Sequence, residues 1–296
     1  MPRRTNGTAD GLLLVDKPVG VSSHDVVSVA RRALGESRIG HAGTLDPFAS
    51  GLLVLLVGRA TRLLPHLAGE PKVYDATIRF GAETDTEDHL GTVVREAGLP
   101  ARGALLEALP GLTGRVAQVP PAYSAKRVEG RRAYDLARRG ETVTLAPVAV
   151  QVHRWEVVRL EEGREGVREA DVRITCGGGT YIRSLARDLA RTVGSAAHLT
   201  ALRRLASGPF RVADAVSLES LRQAAPALQP ALAALPQCPV QVLTSEELPR
   251  IVRGIDIPAT VEGPWAALTN AENGALVALA ERRADRWQPR VVMREA

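Results

Sequence analysis

The sequence predicts an α+β fold: a large domain on a mixed, largely antiparallel sheet, followed by a small β-rich C-terminal domain. Three observations predict it. Strand-type and helix-type hydrophobic patterns follow one another without strict βα alternation. The segment 73–81 alternates cleanly, with Tyr74, Ala76, Ile78 and Phe80 on one face and Asp75, Thr77 and Arg79 on the other, the pattern of a half-buried strand. After an Ala/Pro-rich stretch at 224–239, short strand patterns recur with turn signals at Glu262-Gly263-Pro264 and Glu272-Asn273-Gly274. The expected domains are residues 1–236 and residues 240–296, with the Ala/Pro-rich stretch as a linker.

Each element has its own local signal. Residues 11–16 (GLLLVD) read as a short buried strand, and Lys17-Pro18-Val19-Gly20 as a turn. Ser22 or Ser23 can cap a helix whose apolar face is Val26, Val27, Ala30 and Leu34, with Gly35 as its stop. A Gly-rich loop is expected from Gly40 to Gly51, and then a buried strand from Leu52 to Val57. The acidic run 84–92 reads as loop, 101–109 as helix, and 131–139 as a basic helix. Strand patterns occupy 142–160 and 168–176. Gly177-Gly178-Gly179 then leads into a helix with Ile182, Leu185, Ala186, Leu189 and Val193 on its apolar side.

Composition excludes several classes. The chain has 296 residues, 45% apolar and 24% charged, enough to bury a sizeable core. No apolar run approaches the roughly 18 residues of a membrane span, and residues 1–10 lack the apolar stretch of a secretory signal. The two cysteines, Cys176 and Cys238, show no metal-ligand spacing and cannot build a disulfide framework, so a reducing, cytoplasmic setting is expected. Aromatics are only 3%, and 35 of the 38 basic residues are Arg, which makes each Tyr and each Lys informative. The net charge of +5 permits a polyanionic partner, and residues 240–296 carry none of the excess.

Three constellations could carry chemistry. In Gly40-His41-Ala42-Gly43-Thr44-Leu45-Asp46-Pro47, small residues let the backbone bend sharply, and Pro47 biases Asp46 toward an extended conformation. Asp46 could be a nucleophile or a general base, or could only close an Asx turn. In Gly177-Gly178-Gly179-Thr180-Tyr181-Ile182-Arg183, a cation in the first helical turn opposes the helix dipole and asks for a compensating anion, unless it simply faces solvent. From Lys126 to Arg139 the net charge is +4, with Tyr123 and Tyr134 nearby. Such a stretch suits phosphate contacts and base stacking, or a solvated helix face.

Together and in this order, these segments resemble the TruB-type tRNA pseudouridine synthases. The likeness includes Lys17-Pro18, the loop 40–47, Tyr74, Val119-Pro120-Pro121-Ala122-Tyr123-Ser124-Ala125, the stretch 130–138, Gly179 to Leu185 and Leu202-Arg203-Arg204. It implies a pseudouridine-synthase catalytic domain with an RNA-gripping insertion at about 120–150, plus a small PUA-like C-terminal domain. It also implies the isomerisation of uridine 55 of the tRNA T-loop, with base flipping, no cofactor and no metal, and a capacity to assist tRNA folding. Asp46 is then the catalytic aspartate, ionised to attack the ribose as a nucleophile or to assist glycal formation, and Arg183 pairs with it and favours its ionised form. Tyr74 stacks on the base, Tyr181 and Leu202 wall the pocket, Lys17 supports the loop, and His41 fills the place the base leaves.

The resemblance further implies that Lys126, Arg127, Arg131, Arg132, Arg138 and Arg139 dock the T-arm through its phosphates. The resemblance is to stand-alone enzymes, so no guide RNA or protein partner is expected, no membrane, and a monomer. Three departures stand out: Ala42 where the family usually has Thr, Lys126-Arg127 where an apolar residue usually precedes a Lys, and Ser50 where Thr is more frequent. All four tyrosines lie in the segments that resemble the family.

Overall fold

The computed structural model describes residues 10–124, 127–128, 131–132, 139 and 145–293. The chain forms two compact units. One comprises the residues up to Asp46, Leu52–Gly69 and Pro209–Ala296; the other comprises Pro47–Gly51 and Glu70–Gly208.

In the first unit, β1 (Gly11–Lys17) lies between β3 (Ser50–Val57) and the short parallel strand β14 (Val216–Ser217). β2 (Ile39–Ala42) pairs antiparallel with β3. Composition assigns Gly40–Ala42 to a loop; cross-strand pairing with Val54–Leu56 makes them strand instead. The unbroken apolar runs of β1 and β3 have a simple cause. Side chains alternate across a strand, so Leu13, Val15, Leu53, Leu55 and Val57 join one core with Val26, Val27 and Ala30 of the helix Ser23–Leu34. Leu12, Leu14, Leu52, Val54 and Leu56 join a second core with Ala267, Leu276, Leu279 and Val291. Burying each such side chain contributes about 1.5–3 kcal/mol.

Those last four residues belong to a five-stranded C-terminal sheet. Its order is β15 (Val240–Leu243), β17 (Trp265–Asn270), β18 (Leu276–Arg283), β19 (Arg286–Val292) and β16 (Ile257–Pro258). The small β-rich C-terminal domain expected from the sequence is this sheet. The stretch 224–239, expected as a linker, is packed. Leu12 and Gln229 exchange two backbone hydrogen bonds of 2.9 Å, and Ala234 and Leu235 are buried in the second core. Ala231, Leu232, Ala234 and Leu235 pack in or against that core, and this is what the composition concealed.

In the second unit an antiparallel sheet runs β12 (Ala197–Ser207), β4 (Lys72–Phe80), β11 (Gly166–Cys176), β10 (Val148–Gly163) and β7 (Gly114–Gln118). Ser50 and Gly51 run parallel to β12 beside Arg203 and Arg204, which makes the architecture mixed but largely antiparallel. β5 (Ala82–Thr84) and β6 (Val93–Glu96) form a hairpin that brackets the acidic run. The helix Ile182–Thr192 packs Leu185, Ala186, Leu189 and Ala190 inward over β12 and β4.

Of the stretch 131–139 expected as a helix, only Arg131, Arg132 and Arg139 are described, and 133–138 lie outside the described residues. Arg127–Val128 (β8) pairs antiparallel with Arg131–Arg132 (β9), so 131–132 are strand. The short strand Phe210–Arg211 (β13) leads back into the first unit.

Candidate active site

The first unit carries Lys17, His41 and Asp46. Lys17 ends β1 and is fully buried, 0% exposed. Its ammonium donates to the carbonyl oxygens of Pro18 (3.1 Å) and Val21 (2.7 Å). A buried charge needs such partners, and these bonds fold the 18–21 turn back onto β1. The chain then reaches Ser22, the N-cap of the helix Ser23–Leu34. Ser22 Oγ accepts the Asp25 N–H (3.1 Å), and Asp25 Oδ2 accepts the Ser22 N–H (2.8 Å), a reciprocal capping box. The Ser22 hydroxyl is the chief reason that the Asp25 carboxyl sits below its ordinary value.

Ser23, one residue on, points inward. Its hydroxyl accepts the Leu45 N–H at 2.9 Å and donates to the Leu45 carbonyl at 3.1 Å. Asp46 follows, half-buried, between β2 and β3, with Pro47 next. His41 stands on β2 opposite Leu55, so strand pairing sets its position.

The second unit carries Tyr74, Tyr181, Arg183 and Leu202. Tyr74 is on the buried face of β4. Leu202 on β12 is opposite Ala76 and therefore diagonal to Tyr74 on that face. Directly opposite Tyr74 is Arg204, a fully buried cation. Gly51 runs beside it at φ +102°, and a Cβ there would strike the Arg204 backbone, so only glycine fits. Tyr181 is the N-cap of the helix Ile182–Thr192, and Gln118 bonds to both its backbone groups.

Arg183, 4% exposed, donates to the carbonyl oxygens of Thr86 (2.7 Å) and Tyr123 (2.9 Å), and Asp88 Oδ2 is 4.0 Å from it. The solvent-facing alternative for Arg183 is thus excluded. One turn along, Arg187 pairs with Glu87 and donates to the Val119 carbonyl at 2.9 Å. Ser184 Oγ donates to Glu87 at 2.9 Å. Burial pushes the Glu87 carboxyl up, against the pull of Arg187 and Ser184. Arg183 and Arg187 together tie the 84–92 loop to the segment 119–123.

The glycines before this helix do not form an open cradle at Gly178, because the Glu70 carboxylate occupies the space a side chain would take. Cys176 is buried, and burial pushes its thiol up to about 11, which keeps it inert as a nucleophile.

Among the basic residues, Arg127, Arg131 and Arg132 lie on the β8–β9 hairpin, and Arg139 is exposed in a turn. Lys126 and Arg138 lie outside the described residues. Among the described residues no cluster of His, Cys, Asp or Glu could hold a metal, and no helix is long and apolar enough to cross a membrane.

Sequence reasoning misses Ser23, Gln118, Glu87, Asp88 and Arg204 as partners of this machinery. Ser23 reads only as a cap, and Asp88 and Glu87 only as loop acids. Arg204 has a signal, since it is a cation at an inward position of an alternating strand.

The comparisons with known proteins agree with one another. A family model described as "TruB family pseudouridylate synthase (N terminal domain)" matches residues 31–182. Another, "tRNA pseudouridylate synthase B C-terminal domain", matches residues 183–235. The chain is 46% identical over 290 residues to tRNA pseudouridine synthase B of Thermobifida fusca (strain YX), covering 96% of this chain and 98% of that one. It is 44% identical over 282 residues to the protein of the same name from Arthrobacter sp. (strain FB24), covering 91% and 92%. Among solved structures, a crystal structure of the archaeal box H/ACA sRNP Nop10-Cbf5 complex matches with a TM-score of 0.70 at 22% identity, over 97% of this chain and 87% of that one. That last likeness is one of fold.

Proposed function

The chain belongs to the TruB family of pseudouridylate synthases, RNA-binding isomerases of tRNA, and on that premise we propose that it converts uridine 55 of the T-loop to pseudouridine with Asp46 as nucleophile. In this reading the C1′–N1 glycosidic bond of the uridine breaks, the uracil turns, and a C1′–C5 bond forms. The C5 proton leaves and N1 takes one up, so the atoms balance with no redox change. The target base stacks inside folded tRNA and must be flipped out, at a cost of about a few kcal/mol.

The residues divide that work. Asp46, ionised, attacks the ribose C1′ as the C1′–N1 bond breaks, and its carboxylate leaves again when C5 of the turned uracil bonds to C1′. Arg183 supplies the cation that favours the ionised carboxylate. Tyr74 stacks on the extracted base, and Tyr181 and Leu202 wall it in. His41 fills the vacated place in the T-loop, and Lys17 braces the loop that carries Asp46. Lys126, Arg127, Arg131, Arg132, Arg138 and Arg139 neutralise phosphates of the T-arm without reading its sequence. The protein acts as a monomer in the cytoplasm, with no guide RNA, protein partner or cofactor.

The observation that carries the reading is the pair of hydrogen bonds between Ser23 and Leu45, which fixes the chain immediately before a half-buried Asp46. A loop that served only as a turn would not need this. The test is direct. Purified protein is incubated alone with an unmodified tRNA transcript, and pseudouridine is mapped. The reading expects product at position 55. Product elsewhere, or none until guide RNA or other proteins are added, overturns it.

A further inference from the structure

We propose that Ser23 is a positioning residue for the reaction, one that sets the backbone from which Asp46 springs. The proposal rests on the reading of Asp46 as nucleophile. Three observations argue for it.

First, the Ser23 hydroxyl is not needed by its own helix. Ser22 is the N-cap and completes the capping box with Asp25. Second, the Ser23 hydroxyl has one destination. Ser23 is 3% exposed, and the hydroxyl both accepts from and donates to the same residue, Leu45, 22 positions away. A hydroxyl can act in both senses at once. Third, the two bonds hold both peptide units that flank Leu45. Its N–H belongs to the peptide from Thr44, and its carbonyl to the peptide that leads into Asp46. A peptide unit is planar, so the Leu45 oxygen and the Asp46 Cα lie in one plane. Pinning that oxygen therefore limits where the Asp46 Cα can be.

Pro47 restricts the same residue from the other side by biasing it to extended conformations. Leu45 is itself buried, which leaves the loop little room to recoil. Lys17 acts behind Ser23, because its bond to the Val21 carbonyl fixes the turn that delivers the helix N-terminus.

The experiment compares Ser23→Ala, Ser23→Cys and Ser23→Thr with wild type in single-turnover assays on tRNA. Binding of tRNA and thermal melting are measured in parallel, along with Asp46→Asn. A misplacement of about 1 Å costs roughly 100-fold in rate, so Ser23→Ala should lose about 10- to 100-fold in the single-turnover rate constant with Kd for tRNA within about twofold. Ser23→Cys, similar in size but a weak hydrogen-bonding partner, should also lose rate, and Ser23→Thr should recover most of it. A purely structural role would lower the melting temperature of Ser23→Ala and leave the rate of the folded fraction unchanged. If Ser23→Ala does not fold, Ser23→Cys decides. Wild-type single-turnover rates in the Ala or Cys variant, with Asp46→Asn inactive, overturn this proposal alone. Activity in Asp46→Asn overturns the reading on which it rests.

Discussion

Gln118 holds Tyr181 by both of its backbone groups. The Gln118 side-chain carbonyl accepts the Tyr181 N–H at 2.9 Å, and its amide donates to the Tyr181 carbonyl at 3.0 Å. Gln118 is fully buried at the end of β7, so these bonds form away from water, where leaving a group unpaired costs about 1–3 kcal/mol. Gln118→Ala should therefore lower stability by about 2 kcal/mol, read as a shift in denaturant midpoint at unchanged slope. It should also loosen the N-cap of the helix that presents Arg183, which single-turnover rates would show as a loss larger than the loss in tRNA affinity.

Gly51 is constrained just as tightly. Its φ of +102° and its closeness to the Arg204 backbone leave no room for a side chain. Gly51→Ala should cost about 3 kcal/mol or more, because strain at such a φ adds to a clash with backbone that cannot move aside. Thermal melting checks it, and a melting curve unchanged from wild type would mean that the backbone at this point can yield.

The loop that carries Asp46 is legible in the sequence as a candidate site, while most of what holds it is not. The caps Ser22 and Gly35, the alternation of β4 and the apolar face of the helix Ile182–Thr192 are all readable, because each depends on near neighbours in sequence. The bonds Ser23–Leu45 and Gln118–Tyr181 span 22 and 63 positions, and no local periodicity records them. The same limit hides the packing of 224–239, whose composition reads as linker until Leu12 supplies a pairing partner. The β8–β9 hairpin is obscured for another reason. Charge dominates residues 126–139, and strands of two residues are too short to show an alternation.

That hairpin should govern the response to salt. If Arg127, Arg131 and Arg132 touch phosphates, replacing all three with Ala should weaken tRNA binding. The slope of log affinity against log salt should also flatten by about 0.7–0.9 for each phosphate that is no longer neutralised. Filter binding across a salt series measures this. A weaker affinity with an unchanged slope would assign phosphate binding to other residues.

Four described carboxyls sit below their ordinary values, Asp25, Asp171, Asp256 and Glu281, and the last two and Asp25 owe this chiefly to one partner each. Asp25 is held below its ordinary value first by the Ser22 hydroxyl, Asp256 by its bond to Arg286, and Glu281 by its bond to Arg290. A lowered pKa in the folded state means that the unfolded chain binds protons first as pH falls. The contribution of these groups is thus fully present above their unfolded values, 3.8 for the aspartates and 4.5 for Glu281, and is lost as pH drops through the folded ones. Melting temperature should be flat with respect to these groups above about pH 5 and fall below pH 4. Asp25→Asn should shrink that acid-side fall.

The most direct test of the proposed chemistry replaces Asp46 with Asn. The change keeps the size and polarity of the side chain but removes the carboxylate on which the proposed attack on the ribose depends. The substrate is tRNA labelled with tritium at C5 of its uridines, and the readouts are tritium release and tRNA binding. With Asp46 as nucleophile, Asp46→Asn shows no release above background and binds tRNA within about threefold of wild type, since phosphate neutralisation supplies most of the affinity. Release at or near the wild-type rate from Asp46→Asn would contradict it.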